Sequence, residues 1–117
     1  MNTVTIYHNP KCGTSRAVLG LIRDHSIEPE VIDYLLHPPG RTTLVELIAQ
    51  MKLPVRAVLR SKEALYKELQ LDDPGLSDDA LIDAMLAHPI LMNRPIVVTA
   101  LGTRLCRPSD AVLGILP

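Results

Sequence analysis

The alternation of apolar and polar positions changes period several times along the chain, and each change marks an element. Thr3-Val4-Thr5-Ile6-Tyr7 alternates with period two and is rich in β-branched residues, which predicts a strand. Asn9-Pro10 breaks it. Val18, Leu21 and Ile22 then recur at helical spacing, so a helix is expected over about 14–25. Glu30-Val31-Ile32-Asp33-Tyr34 reads as a second strand. A strand, helix and strand of these lengths make a βαβ unit with parallel strands.

His37-Pro38-Pro39-Gly40 is a firm stop, after which the pattern is helical only. Thr43 with Glu46 reads as a capping box, with Leu44, Leu47, Ile48 and Met51 at helical spacing. Short helical stretches are expected over 55–59 and 64–69. Ser77 caps a further helix whose Leu81, Ala84, Met85 and His88 share a face. Pro89 closes this section.

Ile96-Val97-Val98-Thr99 is an apolar, β-branched run suited to a strand buried on both faces. Leu101-Gly102 turns the chain, and residues 103–106 return as an antiparallel partner. Pro108-Ser109 open a closing helix with Val112, Leu113 and Leu116 facing inward. The order is therefore βαβ, a helical insert, then ββα. This is an α/β class with no internal repeat and no linker long enough to separate domains.

Composition narrows the function more than the fold. A length of 117 residues fits one domain with a modest core, and 47% hydrophobic residues without a long polar tract argue against disorder. Phe and Trp are absent, so the core is aliphatic and offers no aromatic platform for single-stranded nucleic acid. A net charge of −1 supplies no field for DNA, RNA or an anionic membrane. No apolar run approaches the roughly twenty residues of a membrane span. MNTVTIYHNP lacks the basic and then apolar pattern of a signal peptide, and two distant cysteines make no disulfide framework. A cytoplasmic protein is expected.

Arginine outnumbers lysine by eight to four, which invites a search for a small anionic ligand. That search begins at Cys12. A strand running into a turn and then a helix places it at the helix N-terminus, where free backbone N–H groups favour a thiolate. Thr14, Ser15, Lys11 and Arg16 lie in the same turn, and His8 precedes by four residues. Cys12-Gly13-Thr14-Ser15 has the spacing of a C-x-x-C motif with serine as the second member. Such a cysteine can attack, but an external thiol must finish the cycle. No metal is expected, because His8 and Cys12 offer only two ligands.

A cysteine phosphatase loop would carry arginine six positions after the cysteine, but Val18 stands there and Arg16 is four residues on. Any arginine clamp must come from elsewhere. Arg60, Arg94 and Arg107 lie on connections beside strands, where α/β sheets place ligands. Cys106 reads as a small strand residue, and His25, His37 and His88 as structural residues.

YHNPKCGTSR, VRAVLR, HPILMNRPIVVT and LGTRLCRPS, in this order, resemble the glutaredoxin-dependent arsenate reductase family. The resemblance runs from the first strand to the closing helix. It implies a single thioredoxin-like domain over 1–117 with a four-stranded mixed sheet and a helical insert at about 41–89. It implies that Cys12 is the nucleophile and that Arg60, Arg94 and Arg107 hold the arsenic oxyanion. His8 would favour the thiolate, Ser15 would assist by hydrogen bonding, and the Arg94-Pro95 peptide would be cis beside the cysteine. The implied reaction reduces arsenate to arsenite with glutathione as co-substrate and glutaredoxin as partner, and with no bound cofactor. Some members run on beyond the position of Pro117 with a charged tail; the named residues all precede it, so the chemistry is expected to be unaffected. Two alternatives stand beside this reading: a redox-sensing transcription regulator of the same superfamily, and a general glutathione-dependent thiol transferase.

Overall fold

The structure, a computed structural model, describes residues 3–117. Met1 and Asn2, which open the stretch read for a leader peptide, lie outside the described residues. The described residues divide into two compact units, 3–37 with 94–117, and 38–93.

The first unit holds the sheet. Strands β1 (Thr5–His8), β2 (Glu30–Asp33), β3 (Ile96–Thr99) and β4 (Gly102–Leu105) are ordered β2-β1-β3-β4. β1 and β2 run parallel with Thr5 opposite Glu30 and His8 opposite Asp33. β3 is antiparallel to both β1 and β4, with Ile96 opposite Tyr7 and Leu105. The expected mixed four-stranded α/β sheet is therefore present. The crossover between the parallel strands is α1 (Gly13–Asp24), which ends with the His25 ring nitrogen Nδ1 2.8 Å from the Leu21 carbonyl.

Val18 and Ile22 of α1 pack on Ile6 and Val97 from the two central strands, joined by Val4, Cys106, Val112 and Ile115. Burying each aliphatic side chain of this size stabilises the fold by about 1.5–3 kcal/mol. No aromatic ring is needed to close this cluster.

Three local expectations shift. β1 starts at Thr5 and runs on to His8, so the histidine is part of the sheet. β4 begins and ends one residue earlier than expected, which leaves Cys106 beyond the strand rather than in it. Gly102 makes this possible: its φ of 154° at the strand's first position is one that an L side chain rarely adopts. The closing segment Ser109–Gly114 is a 3₁₀-helix, not an α-helix. With three residues per turn, Val112 and Ile115 share the buried face, while Leu113 is 46% exposed and Leu116 half-buried.

The second unit is helical. It contains α2 (Arg41–Met51), α3 (Ala64–Glu68), α4 (Asp78–Ala87) and 3₁₀ turns at Val55–Val58 and Pro89–Leu91. Leu44, Leu47 and Ile48 of α2 and Leu81, Ile82 and Met85 of α4 are its buried residues. The expected Thr43–Glu46 capping box does not form. Gly40 takes the N-cap position in extended conformation directly after the proline pair, so α2 begins at Arg41 and Thr43 lies inside it. Ser77 does cap α4, its Oγ accepting the Ala80 amide at 3.1 Å. Leu59 and Met92 form an isolated antiparallel bridge, flanked by bonds from the Arg60 amide to Leu91 O and from the Asn93 amide to Val58 O, both 2.7 Å. Among the described residues no helix is long and apolar enough to cross a membrane.

Candidate active site

The β1–α1 connection is built by one asparagine. Asn9 O accepts the Cys12 amide at 3.0 Å, closing a turn with Pro10 at its second position, and Asn9 Oδ1 accepts the Lys11 amide at 3.0 Å. Proline's fixed φ and the asparagine side chain both favour this turn. Cys12 emerges as the N-cap of α1, extended at φ −94°, ψ 123°, with its carbonyl accepting the Arg16 amide at 3.0 Å. Its side chain is thereby aimed at the first helical turn while only 8% of its surface is exposed.

Two arginines meet the sulfur. Arg107 Nη1 lies 3.8 Å from Cys12 Sγ and also donates to the Arg94 carbonyl at 3.1 Å. Burial alone would push the Cys12 thiol up. The Ser15 backbone N–H, the charge and hydrogen bond of Arg94 and the hydrogen bond of Arg107 together outweigh it, holding the pKa below its ordinary value. Arg94 is itself buried. The Arg94–Pro95 peptide is cis, the geometry expected from the resemblance; Arg107–Pro108 is cis too, and was not anticipated.

His8 and Ser15 form a second group. His8 Nδ1 is 2.6 Å from Ser15 Oγ, and the same oxygen accepts the Asn9 amide at 3.1 Å. Burial lowers the His8 pKa, with Arg23 and Arg16 adding to this and Asp33 opposing it, so the imidazole is neutral near pH 7. A hydroxyl that already accepts from Asn9 can then donate its own proton to Nδ1. The groups acting on the sulfur are thus Arg94, Arg107 and the Ser15 amide, whereas His8 turns to the Ser15 hydroxyl. Lys11 and Arg16, expected in the same turn to favour the thiolate, are not among those groups.

Arg60 belongs to the second unit. There its Nη1 pairs with Glu63 Oε2 at 3.2 Å. Among the described residues no group of three or more His, Cys, Asp or Glu side chains is arranged to hold a metal. Asn9, read from the sequence only as a strand breaker, shapes the turn that carries Cys12; an Asn-Pro pair shortly before a cysteine at a helix start was the available signal.

Cys106 is buried, as Cys12 is, but its electrostatic surroundings are the opposite. It is fully buried, its Sγ lies 3.7 Å from the Arg104 carbonyl, and burial pushes its thiol up to about 11 despite the nearby Arg104 charge. Alkylation of the native protein at pH 7.5 is therefore expected to label one thiol, identified by peptide mapping as Cys12. A second label should enter only in denaturant. Equal labelling of both thiols under native conditions would contradict this difference.

These features define a thioredoxin-like fold with a cysteine at the start of its first helix and two arginines acting on the sulfur. The chain belongs to the ArsC family, whose sequence profile matches residues 7–115. It is 61% identical over 117 residues to the arsenate reductase of Acidiphilium multivorum, covering all of this chain and 83% of that protein. It is 60% identical to the arsenate reductase of Escherichia coli K12, with the same coverage. The solved arsenate reductase from Vibrio cholerae superposes with a TM-score of 0.94 at 51% identity, over 97% of this chain and 98% of that one.

Proposed function

We propose that this chain reduces arsenate to arsenite, using glutathione and glutaredoxin, through a covalent thiol–arsenate adduct on Cys12. The observation that carries the reading is the Cys12 sulfur at a helix N-terminus with Arg107 Nη1 at 3.8 Å and Arg94 acting on it as charge and donor. A thiolate attacking a dianion meets repulsion, and guanidinium groups at the point of attack offset it. The arsenate reductases that this chain resembles at about 60% identity support the choice of oxyanion.

The steps balance as follows. The Cys12 thiolate attacks arsenic; an S–As bond forms, and one As–O bond breaks with the oxygen leaving as water after protonation. Glutathione replaces a second oxygen, again released as water, and arsenic stays pentavalent. A glutaredoxin thiolate then attacks the glutathione sulfur. The S–As pair returns to arsenic, which becomes As(III), and the glutathione leaves as a mixed disulfide. Water releases arsenite and restores the Cys12 thiol. Arg60 enters this scheme on the resemblance alone, as a third cation for the oxyanion.

The experiment is arsenate-dependent NADPH consumption in the presence of glutathione, glutaredoxin and glutathione reductase. Turnover is expected with all components and should fall to background when glutaredoxin is left out. Undiminished turnover without glutaredoxin would overturn the coupling. A folded protein inactive in the complete mixture would overturn the reaction.

A further inference from the structure

Lys11 and Arg16 stand on the solvent side of the Cys12 turn, and the reaction as written gives them nothing to do. Both are exposed. Arg16 is not free to wander: its Nη1 donates to the Pro10 carbonyl at 2.8 Å, folding the guanidinium back over residues 10–13. Its other terminal nitrogen lies 3.8 Å from where a β-carbon on Gly13 would sit. Lys11 is fixed at its backbone by the Asn9 side chain, immediately before the nucleophile.

Among the described residues neither is in an ion pair. The first turn of α1 carries no acidic residue, and among the described residues the ion pairs are Arg23–Glu28, Arg41–Asp79, Arg41–Asp83 and Arg60–Glu63. Two exposed cations in the turn that carries the nucleophile are more than a small oxyanion needs. Arg94 and Arg107 already occupy the inner position, close on Sγ, where arsenate would be held. Lys11 and Arg16 belong to the same turn as the sulfur and are exposed, whereas the sulfur itself is almost closed to solvent.

We propose that Lys11 and Arg16 form the subsite for the carboxylates of glutathione, positioning its thiol on the Cys12-bound arsenic. This rests on the reaction proposed above. Glutathione carries two carboxylates, one at each end, separated from the central thiol by several bonds. Arg16 offers a planar donor fork suited to one carboxylate, and Lys11 a mobile point charge suited to the other. In the step it serves, the glutathione S–H adds to arsenic, an As–OH is lost as water, and no electrons are transferred.

The test uses the whole chain with Lys11→Ala, Arg16→Gln and the double variant in the complete assay. Wild type is measured first with glutathione and with glutathione diethyl ester, whose carboxylates are masked. The double variant should raise the KM for glutathione about tenfold, with the KM for arsenate and the Cys12 thiol titration unchanged. Wild type should prefer glutathione over the ester, and the double variant should lose that preference. An unchanged KM for glutathione, or an equal loss with ester and free acid, would overturn the proposal while leaving the reductase reading intact. A raised KM for glutaredoxin alone would overturn it in favour of a protein-docking role. Wild type inactive with arsenate would remove the reductase reading and this proposal with it.

Discussion

Cys12→Ser is expected to reduce arsenate-dependent turnover to background, a loss of roughly four or more orders of magnitude, as removal of a covalent nucleophile generally does. The reason is chemical before it is structural. A serine hydroxyl is almost wholly protonated near neutrality, whereas even an ordinary thiol near 8.5 is about 3% thiolate at pH 7. Here the Ser15 amide, Arg94 and Arg107 move Cys12 further toward the thiolate against the opposing effect of burial. The substitution keeps the shape, so the variant should fold with unchanged circular dichroism and melting behaviour. It should also fail to take up the single native alkyl label. Residual arsenate-dependent activity above background in a verified Cys12→Ser preparation would mean that another group attacks arsenic. Cys106 is badly placed to do so, buried in the core with its thiol near 11.

The position of Cys12 was legible because short-range rules fix it. An alternating strand, an Asn-Pro turn and a helical repeat at Val18 and Ile22 leave the cysteine little choice but a helix N-terminus. The meeting of Arg94 with Arg107 was harder to read, since it depends on strand register. Thr99 pairs with Gly102 across a two-residue turn, and Ile96 with Leu105. The same register carries on past the strands: the Cys106 amide donates to Pro95 O at 2.9 Å, and Arg107 Nη1 to Arg94 O. Placing the turn at residues 100–101 instead of Leu101-Gly102 would have set 94 opposite 107. The missed feature was a turn displaced by one residue, which shifts the pairing by two, hidden by a glycine whose φ of 154° belongs to the strand and not to the turn.

The α2 start and the closing segment were misread for a related reason. Thr43–Glu46 satisfies a capping pattern, but the chain leaving Pro38-Pro39 reaches its cap at Gly40 first, so the pattern lies within the helix. At the other end, Val112, Leu113 and Leu116 fit a period of 3.6, while Pro108 introduces a 3₁₀ segment that buries Val112 and Ile115. In both places a proline set the backbone before the side-chain pattern could.

Arg94→Ala is expected to lower kcat/KM for arsenate by about 10²–10³, the range for losing one preorganised donor at a developing negative charge. Its effect on the sulfur separates it from a plain binding residue. Arg94 acts on Cys12 both as a charge and as a hydrogen-bond donor, so its removal leaves burial less opposed and the thiol pKa must rise. Activity depends on the thiolate and therefore increases with pH through the Cys12 pKa. In wild type that rise should fall below the ordinary thiol range; in Arg94→Ala it should move to higher pH, and part of the lost activity should return above it. Arg94→Lys should restore much of the pKa through its charge yet recover little of the arsenate affinity, because an ammonium lacks the planar fork. Arg107→Ala should shift the profile in the same direction, since it removes a hydrogen bond to the sulfur and another to the Arg94 carbonyl. An Arg94→Ala variant with an unshifted pH profile would show that Arg94 binds substrate without setting the nucleophile.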